Sequence, residues 1–273
     1  MHIKLVALDF DGTLINDDLI ITEETKNTIY ECHKRGIEVF LNSGRVYSTI
    51  VRFARDLKIK LPIACCNGAY MRDEEKIYKQ EMLTTDATIK AMEVIRKYGC
   101  YFHVFVKEKI LAEKHMFWPE LYDIWRDGIG KGYEDILRKD LSFQEIVDYT
   151  DDDVIKILVV EDDEEKMNSL KNELSEIGSY YLCSSARNIL EILKPGISKG
   201  VILKEMADKL GIESDEIMAV GDSDNDLSMI EYAGLGVALK NAAKELKSIA
   251  DLTMEFTNNE EGAAQAIKRF ALE

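Results

Sequence analysis

The apolar segment Ile3–Leu8, interrupted by Lys4 alone, stops abruptly at Asp9-Phe10-Asp11-Gly12-Thr13-Leu14. A short apolar run bounded by a turn signal reads as a buried strand. Residues i and i+2 of a strand share a face, so Asp9 and Asp11 are expected to leave its carboxyl end as neighbours. Buried carboxylates are costly unless they are paired or hold a metal. The pair is therefore either a site or a solvated acidic turn of the kind that Asp and Gly favour.

The same local pattern repeats. Thr22, followed by Glu23 and Glu24, caps a helix that stops at Gly36. Ile37–Leu41 is a second strand that runs into Asn42-Ser43-Gly44-Arg45. Residues 46–57 are helical, and Ile63–Cys66 is a third strand ending at Asn67-Gly68-Ala69. Strand, helix, strand, helix, strand predicts a parallel sheet with right-handed crossovers. Ligands of such sheets bind at the carboxyl ends of the strands. Here those ends carry Asp9 and Asp11, Ser43 and Arg45, Asn67 and Gly68.

The alternation resumes after Pro195-Gly196. Residues 195–200 punctuate the chain, with Lys199 just before a helix that runs to Leu210, and a strand, Glu216–Val220, then ends in Gly221-Asp222-Ser223-Asp224-Asn225-Asp226. A helix through Tyr232, a strand over Leu235–Leu239 and helices over Ala242–Ala250 and Glu260–Leu272 follow. Between the two halves the character changes. Residues 70–80 read as a hairpin, 84–98 and 163–177 as helices, and 101–106, 109–113, 154–160 and 180–183 as strands. A last strand, Ile189–Leu193, reads as the return to the main body. Met116–Arg126 contains both tryptophans and reads either as the core of a small domain or as a wall facing substrate. We expect an α/β protein. Residues 1–81 and 189–273 form a Rossmann-like parallel sheet with helices on both faces, and 82–188 form an inserted α+β domain.

A chain of 273 residues with 46% hydrophobic and 32% charged residues is globular. Its net charge of −16 argues against nucleic-acid and anionic-membrane binding, and a phosphorylated substrate would need positive charge gathered locally. Cys32, Cys65, Cys66, Cys100 and Cys183 are odd in number and lack metal-ligand spacing, which fits a reducing cytosol. No apolar stretch suits a signal peptide or a membrane span. His2, His33, His103 and His115 show no triad spacing.

The cluster Asp222–Asp226 is the second acidic turn at a strand's carboxyl end. It is not a Ca²⁺ loop of the EF-hand kind, because the Gly and distal Glu are misplaced and a strand precedes it. With Asp9 and Asp11 it offers hard oxygen ligands in a number that suits Mg²⁺ better than Ca²⁺, and no His/Cys set points to zinc. Ser43, with Gly44 at the entry to a helix, suits a phosphate oxygen or serves as a plain N-cap. Lys199 and Arg45 are either solvated or placed to neutralise phosphate.

Together these stretches resemble the haloacid dehalogenase superfamily. Asp9–Leu14 is similar to its first signature, Ser43 to its second, Lys199 to its third and Gly221–Asp226 to its fourth. The insert resembles the large α/β cap of the Cof-type phosphatases, and Asn67-Gly68-Ala69 and Gly196–Gly200 resemble stretches common in that branch. Ser43 departs from the more usual Thr but keeps the hydroxyl. The resemblance implies that Asp9 is the nucleophile and that Asp11 is first general acid and then general base. It implies Mg²⁺ held by Asp9, the backbone carbonyl of Asp11 and Asp222, with Asp226 in support. Ser43, Gly44, Lys199 and Asn225 would hold phosphoryl oxygens, with Arg45 and Asn67 supporting, and the insert would close over the substrate and choose the leaving group. Dehalogenases of the superfamily lack an acid at the position of Asp11, so hydrolysis of phosphoric monoesters leads, with sugar phosphates as the expected class. A phosphomutase or phosphotransferase using the same aspartyl-phosphate, and a non-catalytic binding protein, are the alternatives. Phosphate release and turnover of p-nitrophenyl phosphate tell them apart. The expected partner is a small phosphate ester, with neither nucleic acid nor membrane, for a cytoplasmic monomer or small homo-oligomer.

Overall fold

The computed structural model describes residues 2–106, 109–113, 137–138, 140–151 and 153–273. It divides into two compact units, Met1–Lys79 with Ser198–Glu273, and Gln80–Ile197. Among the described residues no helix is long and apolar enough to cross a membrane.

The first unit opens with β1 (Leu5–Leu8), α1 (Glu23–Lys34), β2 (Glu38–Leu41), α2 (Tyr47–Asp56), β3 (Ile63–Cys65), β4 (Tyr70–Arg72) and β5 (Ile77–Gln80). Thr22 caps α1 as its sequence predicts, its side chain accepting the Thr25 N–H at 3.2 Å. The third strand departs from expectation. β3 touches the parallel sheet through one bridge, Asn42 to Ala64, and pairs antiparallel with β4. The cause is the turn after Cys65, where Cys66, Asn67 and Gly68 all take positive φ and send the chain back on itself.

The second unit contains α3 (Thr85–Lys97), β6 (Tyr101–Val106), β7 (Lys109–Ala112), β8 (Leu137–Arg138), α4 (Phe143–Asp148), β9 (Val154–Val160), α5 (Glu164–Ile177), β10 (Tyr181–Cys183) and β11 (Ile189–Leu193). Its sheet has the order β10-β11-β9-β6-β7-β8. β11 is therefore not a return to the main body. It pairs antiparallel with β10 and with β9, so the second unit spans 80–197 rather than 82–188. Met92, Ile95, Phe102, Val104, Ile157, Val159, Leu170 and Leu174 form its core on one face of the sheet. Met116–Arg126 and His115 lie outside the described residues.

The first unit resumes with α6 (Lys199–Leu210), β12 (Ile217–Gly221), α7 (Leu227–Tyr232), β13 (Leu235–Ala238), α8 (Lys244–Ile249), β14 (Leu252–Thr253) and α9 (Gly262–Phe270). Its parallel sheet has the order β14-β13-β12-β1-β2. β1 is central, with Leu8 opposite Val220 on one side and Leu41 on the other. Its four residues are all buried, as a strand covered on both faces must be. That register brings the carboxyl ends of β1, β2 and β12 to one edge.

The other face of the second unit's sheet is unusually polar. The Lys156 ammonium lies 3.0 Å from Glu191 Oε2, and both side chains are buried. His103 is buried between the rings of Tyr101 and Phe105, and neither of its ring nitrogens has a hydrogen-bond partner among the described residues. Burial, helped by the Lys156 charge, pushes the imidazole down from 6.5 to about 3. Between those values the unfolded chain binds the proton and the native chain does not, so stability is full above 6.5 and falls as pH drops towards 3. His103→Leu is expected to flatten this part of the dependence. Urea midpoints measured against pH for both proteins check it, and parallel slopes would show that His103 is not held neutral.

Candidate active site

β1 ends at Leu8, and Asp9 prolongs its register by a single bond from its N–H to the Val220 carbonyl at 3.1 Å. The chain then turns, with Leu14 and Ile15 both donating to the Phe10 carbonyl. The expected pairing of the two on one strand face is thereby broken, because Asp11 lies in the turn and not on the strand. Asp9 is buried, whereas the Asp11 side chain is 51% exposed and swings to Arg45. Arg45 Nε and Nη2 grip its two oxygens at 2.7 and 2.6 Å, a bidentate pair. Gly12 has φ +71°, and a Cβ there would lie 2.4 Å from Asp222 Oδ2. Only glycine lets the first acidic turn approach the second so closely. Thr13 Oγ1 donates to Asp222 Oδ1 at 2.7 Å across the same gap.

Lys199, the first residue of α6, is fully buried and joins the two acidic turns. Its Nζ donates to Asp9 Oδ1 at 2.5 Å and to Asp226 Oδ1 at 2.6 Å. Asp226 Oδ2 accepts the N–H groups of Asp222 and Ser223 at 2.9 and 3.0 Å, so Asp226 folds its own loop around itself. Burial, then the Asp226 charge, holds Asp9 well above the usual carboxylate range against the opposing pull of Lys199. Burial and Asp226 likewise push Asp222 up to about 6. Burial alone would lower Lys199, but Asp226 and Asp9 outweigh it and hold the ammonium above its ordinary value.

Carboxylate oxygens of Asp9, Asp222 and Asp226 lie within 4.8 Å of one another. One ammonium cannot balance three carboxylates, and burial first, then the Asp226 charge, favours a proton on Asp9 and Asp222. An all-oxygen, undercompensated donor set suits a hard divalent cation, whose binding would displace the protons that burial favours. Asp226, with both oxygens hydrogen-bonded, fits a supporting place better than a ligand's.

Ser43 is fully buried, but α2 begins at Tyr47 with Val46 in the cap position, so Ser43 caps no helix. Its Oγ instead accepts the Arg45 N–H at 3.1 Å, across Gly44, and keeps its own hydrogen to donate. The turn at Cys66–Gly68 secures this loop. Cys66 N–H donates to the Arg45 carbonyl at 2.9 Å and Asn67 N–H to the Ser43 carbonyl at 3.0 Å. Asn67 Oδ1 accepts from Asn225 Nδ2 at 3.1 Å. A Cβ on Gly68, at φ +92°, would meet the Ser198 carbonyl at 2.8 Å. Two non-glycine residues at positive φ, Cys66 and Asn67, cost of order 1–3 kcal/mol each. The strain persists because this turn ties the Ser43 loop to the loops carrying Lys199 and Asn225. Asn42, unassigned from sequence, donates to the Lys199 carbonyl at 2.8 Å. Asn42 directly follows β2, and that position was its available signal, whereas Thr13 belongs to the turn after β1.

The site thus gathers Asp9, Asp11, Ser43, Arg45, Asn67, Lys199, Asp222, Asn225 and Asp226 at one sheet edge. The family model of the haloacid dehalogenase-like hydrolases matches residues 6–267. The chain belongs to that family. It is 30% identical over its whole length to the 5-amino-6-(5-phospho-D-ribitylamino)uracil phosphatase YcsE of Bacillus subtilis, covering 97% of that protein. It is 31% identical to the phosphatase YwpJ of Bacillus subtilis, over 97% of this chain and 99% of that one. The solved structure of a haloacid dehalogenase-like hydrolase from B. subtilis superposes with a TM-score of 0.86 at 30% identity, covering 98% of this chain and 100% of that one. The chain is a phosphatase of this family, a phosphoric monoester hydrolase.

Lys199→Met strands two buried carboxylates and is expected to destabilise the protein by about 3–5 kcal/mol. Urea denaturation reads this directly, and a loss under about 1 kcal/mol would mean that Asp9 and Asp226 do not depend on the ammonium.

Proposed function

We propose that this phosphatase hydrolyses small phosphorylated metabolites, sugar phosphates foremost, through an aspartyl-phosphate on Asp9 with Mg²⁺ as cofactor. The observation that carries the reading is the Lys199–Asp9 contact inside the acidic cluster. A buried carboxylate is positioned by an ammonium on one oxygen, while no described residue hydrogen-bonds to the other. In the first step an Asp9 oxygen attacks phosphorus, the ester P–O bond breaks, and Asp11 gives its proton to the leaving oxygen. In the second, Asp11 takes a proton from water, which attacks phosphorus, and the P–O bond to Asp9 breaks to release phosphate. Asp11 must give up at least one of its bonds to Arg45 to serve in either step. Ser43, the Gly44 amide, Lys199 and Asn225 hold the phosphoryl oxygens.

The cation would be held by Asp9, the Asp11 carbonyl and Asp222, with Asp226 behind them, and would supply the charge screening that lets a carboxylate approach a phosphate. The unit spanning 80–197 selects the leaving group. YcsE is named for a substrate that carries its phosphate on a ribityl chain, a sugar alcohol, and this supports the same broad class here. The five cysteines form no disulfide and support a cytoplasmic setting.

Asp9→Asn is expected to lower kcat by about a thousandfold or more. Phosphate release from p-nitrophenyl phosphate measures it, and residual activity within about tenfold of wild type would exclude a covalent role. Chelation by EDTA is expected to abolish turnover and Mg²⁺ to restore it, with Asp222→Asn requiring a higher Mg²⁺ concentration. Turnover that survives thorough chelation would remove the cation from the mechanism.

A further inference from the structure

The loop that follows β13 is bonded to both acidic turns. Beyond Ala238 the chain runs through Leu239-Lys240-Asn241-Ala242-Ala243 into α8. Leu239 N–H donates to the Gly221 carbonyl at 3.2 Å and Ala243 N–H to the Asp222 carbonyl at 2.7 Å, so the loop's backbone is fixed to the second acidic turn. Between these two bonds Asn241 reaches the first acidic turn, its Nδ2 donating to the Gly12 carbonyl at 2.8 Å.

Asn241 is itself oriented from behind, where its Oδ1 accepts the Asn258 N–H at 3.0 Å. Asn258 is buried, and its Nδ2 donates to the Ile15 carbonyl at 3.1 Å and to Asp17 Oδ1 at 3.0 Å. Asp17 and Asn259 add a reciprocal pair, Asp17 N–H to Asn259 Oδ1 at 2.9 Å and Asn259 Nδ2 to Asp17 Oδ2 at 2.8 Å. The stretch from Gly12 to Asp17 is thus tied at its start by Asn241 and at its far end by Asn258 and Asn259.

Polarity dictates the residue at 241. Its partners are main-chain groups, a carbonyl that can only accept and an N–H that can only donate. An amide supplies one donor and one acceptor, a carboxylate two acceptors, and a methyl group neither. Asn241 is exposed, so water competes for both bonds and their loss costs the fold little. What they hold is a direction. Gly12, at φ +71°, is the residue of its turn freest to rotate, and a bond on its carbonyl restricts that rotation. On one side of it lies the Asp11 carbonyl, and on the other Thr13, whose hydroxyl donates to Asp222.

We propose that Asn241 is a positioning residue of the reaction. By joining the Gly12 carbonyl to the loop that holds the Asp222 carbonyl, it sets the spacing between the Asp11 carbonyl and the Asp222 carboxylate, and with it the affinity of the site for a divalent cation. The inference rests on the phosphatase reading and on the cation's holders named with it.

Three measurements test it: calorimetric titration of Mg²⁺ into substrate-free protein, the urea midpoint in EDTA, and kcat with p-nitrophenyl phosphate at saturating Mg²⁺. Asn241→Ala is expected to weaken Mg²⁺ binding and to lower kcat by about tenfold or more each, with the urea midpoint close to that of wild type. Asn241→Asp keeps the shape and the Asn258 bond but turns an oxygen towards the Gly12 carbonyl, and its kcat should fall as far. Asn258→Ala removes the bonds to Ile15 and Asp17 but keeps the N–H that orients Asn241. It should lower the urea midpoint and leave Mg²⁺ affinity within about threefold of wild type. Mg²⁺ affinity and kcat that stay within about threefold of wild type in Asn241→Ala overturn the positioning role and leave the phosphatase reading standing. So does wild-type kcat in Asn241→Asp, or an Asn258→Ala variant that loses as much Mg²⁺ affinity as Asn241→Ala, because general loosening of the segment would then be the cause. Wild-type turnover that survives thorough chelation removes the cation, and this proposal with it.

Discussion

The ammonium of Lys199 between Asp9 and Asp226 is the interaction on which the site depends. It is the only positive charge on the hydrogen bonds of these two carboxylates among the described residues, and it is wholly buried. A lone buried charge of either sign would be expelled or neutralised. The ammonium tolerates burial because two carboxylates face it, and they tolerate burial because it is there. The balance is nevertheless incomplete. Asp222 brings a third carboxylate, and burial first, then the charge of Asp226, raises the proton affinities of Asp9 and Asp222. A site built with that excess is prepared for a cation and, through the cation, for an anion.

The geometry follows from loops that hold one another. Each acidic turn comes from a different strand of the same sheet, and parallel register alone would bring them only to the same edge. Close approach is set by Gly12 against Asp222 and by the Thr13 hydroxyl on the same carboxylate. The left-handed turn at Cys66–Gly68 then binds the Ser43 loop by two backbone hydrogen bonds and reaches Asn225 by a third from its side chain. Backbone strain is concentrated at this turn, where it fixes the positions of groups that must meet a phosphate from several directions.

The alternation of strands and helices, and the polar residues at strand ends, were sufficient to anticipate the parallel sheet and the edge where the site lies. They succeeded because periodicity and turn chemistry are local properties. What failed was non-local. Ile189–Leu193 is apolar enough for either sheet, and only its pairing with Val160 and its neighbours assigns it to the second unit. A helix cap was one of the two readings open for Ser43, and it falls because the helix starts only after an extended Val46. Asp9 and Asp11 read as neighbours on one strand face because their i, i+2 spacing was placed on a strand that ends at Leu8. No local rule shows that Arg45 would reach across to take one of them.

That bidentate bond also explains why two aspartates separated by one residue can do different work. Asp9 is buried, held by an ammonium and unable to move without breaking the cluster. Asp11 is half-exposed, held at the rim by a guanidinium, and can exchange that partner for a leaving group or a water. A nucleophile profits from a fixed position, whereas a group that first gives and then takes a proton must face two different partners in turn. The placement of positive charge follows the same division. Lys199 is spent inside the cluster and Arg45 at its rim. In so acidic a chain, these two cations supply the positive charge that an anionic substrate would meet at the sheet edge.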